Sequence, residues 1–170
     1  MCGRRGGPTI LPWTICWHRF AAMRRMALAA VLAALVVAAP AAAGGIVVKA
    51  AYNKVLKATI LVDARGFTLY VWTGDTPKNT SVCAPDPGCT KFWKPLRAPA
   101  TAGPGLKASL LGTTTDGKVV TFAGRPLYFY KGGVSPAYPA DRKPGQLNGQ
   151  GVYQVWWVIT PAGKLIKKIP

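Results

Sequence analysis

The groups able to do chemistry in this 170-residue chain are few, and most fall into three short stretches. Tyr70, Trp72 and Asp75 lie in Tyr-Val-Trp-Thr-Gly-Asp, Tyr128 and Tyr130 in Leu-Tyr-Phe-Tyr, and Asn148 in the Gly-rich run Pro144–Gly151. Asp75 could serve as a general acid or base. The four aromatic residues could stack on a sugar or another flat ligand. Asn148 and its glycine neighbours could offer amides to a ligand. Cys83 and Cys89 enclose five residues, Ala84 to Gly88, with two prolines among them.

Each of these has a simpler role beside the chemical one. The chain has five acids, all Asp, and its one His is His18. Asp63 and Asp116 belong to turn signals and Asp86 to a Pro-flanked loop. Asp75 is left, with Asp141 as its prospective carboxylate partner, and glycosidase chemistry usually needs two facing carboxylates. A cap on its own turn accounts for Asp75 more simply. Beyond residue 43 there is no His, Met or Glu. Nucleophile systems built on His, the usual zinc sites, blue copper and His/Met haem ligation therefore have no ligands or bases there. Pro144–Gly151 lacks the Lys-Ser/Thr of a phosphate loop and no helix follows, so its glycines are expected to make turns. No cofactor and no metal are expected, and no catalytic residue is assigned.

Residues 27–43, preceded by Arg24-Arg25, run from an apolar stretch into Ala41-Ala42-Ala43. That is the pattern of a secretory signal peptide cut near Ala43, with Met23 as a more natural start than Met1. The expected division is a leader over 1–43 and one domain over 44–170, with no transmembrane anchor after cleavage. In an exported chain Cys83 and Cys89 are expected to form a disulfide, which would contribute about 2 kcal/mol by loop entropy. The formal charge of +17 includes five Arg in the leader, which leaves +12 on 44–170, mostly from Lys.

The elements that must position these groups are strands. β-rich runs occur at Ile46–Tyr52, Lys57–Val62, Phe67–Trp72, Leu110–Thr114, Lys118–Phe122, Leu127–Tyr130, Val152–Thr160 (the longest) and Lys164–Ile169, separated by turn signals. Residues 73–105 and 131–151 are expected to be long loops, and no helix is evident. The expected fold is all-β: one small sandwich or partly closed barrel of about eight strands. Gly-x-x-Leu-Tyr-x-(Trp/Tyr)-x-Gly occurs twice, at an offset of 58, and with a few residues of slippage Trp93 corresponds to Trp156. Repeat units are therefore expected near 57–96 and 110–163. Alternation gives each copy an aliphatic/Phe face and a Tyr/Trp face. Burial of both faces is the simpler arrangement; an open platform of Tyr70, Trp72, Tyr128 and Tyr130 is the functional one.

Tyr70-Val71-Trp72-Thr73-Gly74-Asp75 resembles the Tyr-x-(Phe/Trp/Tyr)-x-x-Asp motif of a bacterial secreted-repeat family of predicted lipoproteins of unknown function. ILVDARGFTLYVWTGD (60–75), the Cys pair followed by Phe92-Trp93-Lys94-Pro95-Leu96, GRPLYFY (124–130) and NGQGVYQVWWVITPAG (148–163) look like family segments in family order. There are departures: Lys94 stands where Trp-Pro-Pro-Leu is common, and the Cys pair is wider than usual. Gly133 stands where the second copy's Asp would be, so that any role of the acid would rest on Asp75 alone. The lipobox Cys is missing, so lipid anchoring does not carry over. The resemblance implies an exported envelope protein and supplies no substrate.

Two functions go forward from the sequence. One is a non-catalytic β domain attracted to an anionic cell-wall polymer or membrane surface, secreted or held in the periplasm or cell wall. No specific nucleic-acid role is expected. The other is an enzyme or redox accessory built on Asp75 and the aromatic face.

Overall fold

The computed structural model describes residues 45–170. The expected leader and its cleavage point, Met23, Cys2, Cys16 and His18 lie outside the described residues. Among those described, the chain forms β1 (Ile46–Asn53), β2 (Ala58–Asp63), β3 (Tyr70–Trp72), a single-turn α1 (Pro87–Thr90), β4 (Trp93–Pro95) and β5 (Ala100–Ala102). It continues through β6 (Leu111–Thr113), β7 (Val120–Phe122), β8 (Arg125–Pro126), β9 (Tyr128–Tyr130), β10 (Trp156–Ile159) and β11 (Leu165–Ile166). Three sheets result, in the orders β2-β1-β5, β11-β10-β3-β9-β4 and β6-β7-β8. Among the described residues the fold is all-β and sandwich-like, without a closed barrel, and has eleven short strands rather than about eight.

Two stretches differ from the sequence expectation for physical reasons. Val152–Gln154 is a 3₁₀ turn, not the start of the longest strand, because Tyr153 and Gln154 adopt left-handed backbone (φ 51° and 60°). β10 therefore begins only at Trp156, and β1 is the longest strand. The stretch 73–105 is not all loop: it holds α1, β4 and β5. Asp86 caps α1 by accepting from Gly88 N at 2.8 Å, with Pro87 in the first turn. β4 lies at the sheet edge, where Pro95 removes no ladder bond.

The β2–β3 connection shows why Asp63 and Gly66 sit where they do. Asp63 Oδ1 accepts from Arg65 N (3.0 Å) and Phe67 N (2.9 Å), and Oδ2 accepts from Arg65 Nε (3.0 Å). Gly66 completes the turn at φ +89°, with Pro144 against its backbone.

The five-stranded sheet separates two apolar clusters by strand alternation. Leu69, Val71, Leu127 and Ile159 join Leu96, Phe122, Val48 and Leu61 on one face. Tyr70, Tyr128, Tyr130, Trp93, Trp156 and Val158 join Leu56, Ile60, Val62 and Cys83 on the other. Each fully buried Leu or Val contributes about 2 kcal/mol of transfer free energy.

Candidate functional site: two tyrosine–aspartate pairs around an aromatic stack

The two copies of the Leu-Tyr motif lie side by side. β3 and β9 are antiparallel and in register at Tyr70↔Tyr128, the equivalent positions of the repeat. On the outer flanks Trp156 faces Trp72 and Trp93 faces Tyr130. Exchanging the two copies maps the strand order β10-β3-β9-β4 onto itself, the pattern of a local twofold axis between Tyr70 and Tyr128. Each Leu-Tyr strand is flanked by the Trp strand of the other copy.

The aromatic rings follow the same symmetry. Trp93 and Trp156 stack at 3.7 Å, 5° from parallel, at the centre. Trp72 continues the stack on Trp156 at 5.7 Å, and Tyr130 tilts onto Trp93 at 4.4 Å. Tyr70 meets Trp93 edge-on (5.6 Å) and Tyr128 meets Trp156 edge-on (5.2 Å). Such edge-to-face contacts put the positive ring edge against the π face and add about 1 kcal/mol each beyond burial.

Both tyrosine hydroxyls end on carboxylates. Tyr128 Oη donates to Asp75 Oδ2 at 2.6 Å, and Tyr70 Oη donates to Asp141 Oδ2 at 2.7 Å. The other oxygen of each carboxylate accepts a backbone N–H seven residues on: Val82 N to Asp75 Oδ1 (2.8 Å) and Asn148 N to Asp141 Oδ1 (2.9 Å). Each tyrosine oxygen also lies near a second polar group, Ser81 Oγ at 2.7 Å for Tyr128 and Gly149 N at 3.3 Å for Tyr70. The sequence expectation that Asp75 alone carries the motif's acid is therefore corrected. Asp141, eight residues beyond Gly133, makes the equivalent bond, because the second copy inserts the segment 133–140 before its acid. Asp75 and Asp141 each serve a different tyrosine.

Burial sets the electrostatics. Desolvation raises the carboxyl pKa of Asp75 above its ordinary value, although the Tyr128 and Val82 bonds pull it back. Asp141 is raised in the same way against the Tyr70 and Asn148 bonds. The phenols are held neutral: burial raises Tyr70 well above its ordinary value, reinforced by the adjacent Asp141 charge. Tyr128 is raised by burial and then by its bond to Asp75, and burial pushes Tyr130 up to about 12. No cation pairs with Asp75 or Asp141 among the described ion pairs, so hydroxyl and backbone donors compensate their desolvation.

The arrangement closes the aromatic face. Tyr70, Tyr128 and Tyr130 are buried, and Trp72 is half-buried against Trp156. An open platform is therefore not formed by these four side chains. Asn148 is also engaged: its N–H goes to Asp141 and its Nδ2 donates to Ala140 O at 3.0 Å. Each Asp pins one long loop onto the sheet. In the first loop Cys83 and Cys89 form a disulfide, and Cys83 is buried in the aromatic cluster. In the second, eight residues after its Asp, Gly149 takes the place of Cys83. A Cβ there would come within 2.9 Å of both Trp93 and Tyr130. Sequence reasoning missed Ser81 and Gly149; aligning the copies on their aspartates rather than their tyrosines brings Cys83 over Gly149.

Outside this buried constellation two grooves carry cations. One, of about 420 Å³, is lined by Arg65, Lys94, Arg97 and Phe129 beside β4. The other, of about 430 Å³, is lined by Asn79, Arg97, Asp116 and Lys118. Among the described residues no three His, Cys, Asp or Glu side chains are placed to hold a metal ion, and no helix is long and apolar enough to cross a membrane. In comparisons with known proteins, the chain matches no protein-family model, no curated protein and no solved structure.

Proposed function

We propose that this is an exported cell-envelope protein whose β domain is a non-catalytic module binding anionic envelope components. The observation that carries the reading is the one-signed surface. Thirteen Lys and four Arg lie in 44–170, and all of these except the half-buried Lys49 and Arg125 are exposed. Of the five Asp, Asp63 and Asp75 are buried and Asp141 is half-buried against Tyr70, which leaves Asp86 and Asp116 in solvent. Asp86 caps α1, and Asp116 sits in a turn beside Lys118. The solvent-facing imbalance thus exceeds the formal +12, and such a surface is drawn to polyanions in a salt-dependent way.

The disulfide fits an oxidising compartment, and the likeness to secreted-repeat lipoproteins points the same way. An enzymatic role would need Asp75 to reach substrate, and both its oxygens are already bonded inside the fold, which favours the non-catalytic reading. The test is co-sedimentation with isolated cell envelope at low and high salt. Binding at low salt that falls steeply with added salt supports the proposal. No binding at low salt overturns it.

A further inference from the structure

The β1–β2 hairpin ends in Lys54-Val55-Leu56-Lys57, flanked by Tyr52, and its tip points its apolar groups in two directions. Leu56 is buried in the aromatic cluster, whereas Tyr52 and Val55 are 64% and 58% exposed. Tyr52 stands opposite Thr59, also exposed. The tip is rigid: buried Asn53 accepts from Val55 N (3.0 Å) and Leu56 N (3.1 Å) through Oδ1 and donates to Gly145 O (3.0 Å) through Nδ2. That last bond brings the turn bearing Arg142 and Lys143 next to the hairpin. Gly145 N donates to Gly66 O at 3.0 Å, which fastens the same turn to the β2–β3 connection.

Four exposed cations, Lys54, Lys57, Arg142 and Lys143, therefore lie on or beside the hairpin end that carries the two exposed apolar side chains. The acid beside Arg142 and Lys143 is withdrawn: Asp141 is bonded to Tyr70. Lys57 also occupies left-handed backbone (φ 52°), a position that Gly or Asn would fill with less strain. We infer that this hairpin end is a docking surface for an anionic lipid bilayer, with Tyr52 and Val55 entering the headgroup region and the cations meeting lipid phosphates. Charge complementarity selects an anionic surface. Two protruding apolar groups at a rigid tip select one that has an apolar interior, which a wall polymer lacks. The inference rests on the envelope reading above and narrows it to one face and one partner.

The test is sedimentation of the full chain with vesicles of mixed phosphatidylglycerol and phosphatidylcholine, against vesicles of phosphatidylcholine alone. Segment 1–44 is common to all variants, so differences between variants report the hairpin. Tyr52→Ser with Val55→Ser should weaken binding to the anionic vesicles by about tenfold or more while leaving retention on immobilised polyphosphate unchanged. Lys57→Gly suits its left-handed backbone and tests charge without a folding penalty. It should weaken vesicle binding about fivefold, the equivalent of ~1 kcal/mol, and Lys167→Gln, on the final segment, should do less. Tyr52→Trp should gain quenching by acyl-chain bromine relative to wild type. Equal vesicle binding by the double-Ser variant and wild type, or equal losses from Lys57→Gly and Lys167→Gln, overturns the inference. Wild-type binding to polyphosphate and envelope but not to anionic vesicles overturns it too, and leaves the envelope reading standing. Binding to none of the three overturns both.

Discussion

Replacing Tyr128 with Phe removes one oxygen from the centre of the aromatic face and tests whether the tyrosine–aspartate pairs hold the loops. The ring stays, so packing against Trp156 is conserved. What is lost is the bond to Asp75 Oδ2 at 2.6 Å and the partnership with Ser81, whose Oγ still accepts from Ala84 N at 2.8 Å. Asp75 is 4% exposed, so its ionised oxygen finds no water to replace the phenol. A hydrogen bond to a buried charge is worth about 2–3 kcal/mol when one partner is deleted. For a domain of this size that lowers the melting temperature by about 10 °C. The penalty has a pH signature. Burial already raises Asp75, and the Tyr128 bond counteracts it, so its loss lets the carboxyl pKa climb further. The neutral acid has less need of the phenol, and the difference between variant and wild type should shrink as pH falls through that raised value. Urea unfolding followed by Trp fluorescence at several pH values measures it. A difference below about 0.5 kcal/mol at neutral pH, or one that does not change with pH, refutes the clamp.

The same geometry sets three more outcomes. Because Asp75 and Asp141 are both raised, their neutral forms suit the fold. The stability they contribute is complete below the ordinary carboxyl value of 3.8 and is lost as pH rises through the raised values, so Asp75→Asn and Asp141→Asn should flatten that part of the stability–pH profile. Reducing the Cys83–Cys89 disulfide should cost about 2 kcal/mol by loop entropy, with faster amide exchange over 75–92 than over 141–149. Gly149→Ala should cost about 1–3 kcal/mol, because its Cβ would meet Trp93 and Tyr130, and calorimetry would read the loss.

Much of the scaffold is legible in the sequence because strand alternation and turn chemistry are local. The hairpin strands, the Asp63–Gly66 turn and the split into an aliphatic and an aromatic face follow from period-two patterning. β4 is hidden by its shortness and by Pro95, which lowers strand propensity wherever it stands. Val152–Gln154 reads as strand because Val152 and Tyr153 are β-formers that run on towards Val155–Ile159. Only the left-handed backbone at Tyr153 and Gln154 ends the pattern, and that conformation has no local signature without Gly. Asp141 escapes the repeat pattern for a different reason. Its role is set by a bond across 71 residues, and an insertion in the second copy moves it out of the repeat's register. Tyr70, Trp72, Asp75, Tyr128 and Tyr130 stand out in the sequence and do lie together in the fold, but whether a Tyr/Trp face is open depends on which loops fold over it.

The exchange of Trp strands across the local axis bears on how such a chain could be divided. β4 belongs to the first copy but pairs with β9 of the second, and β10 belongs to the second but pairs with β3 of the first. Neither half can complete the five-stranded sheet, so a cut in the mostly exposed segment between Gly103 and Lys107 would separate two pieces that each present unpaired edges. A chain with a single copy would be whole only as a dimer, two molecules lending each other a strand. Co-expression of the severed halves should restore a stoichiometric complex on gel filtration, whereas either half alone should aggregate. Within the single chain the two copies meet as two subunits would across a strand-sharing interface.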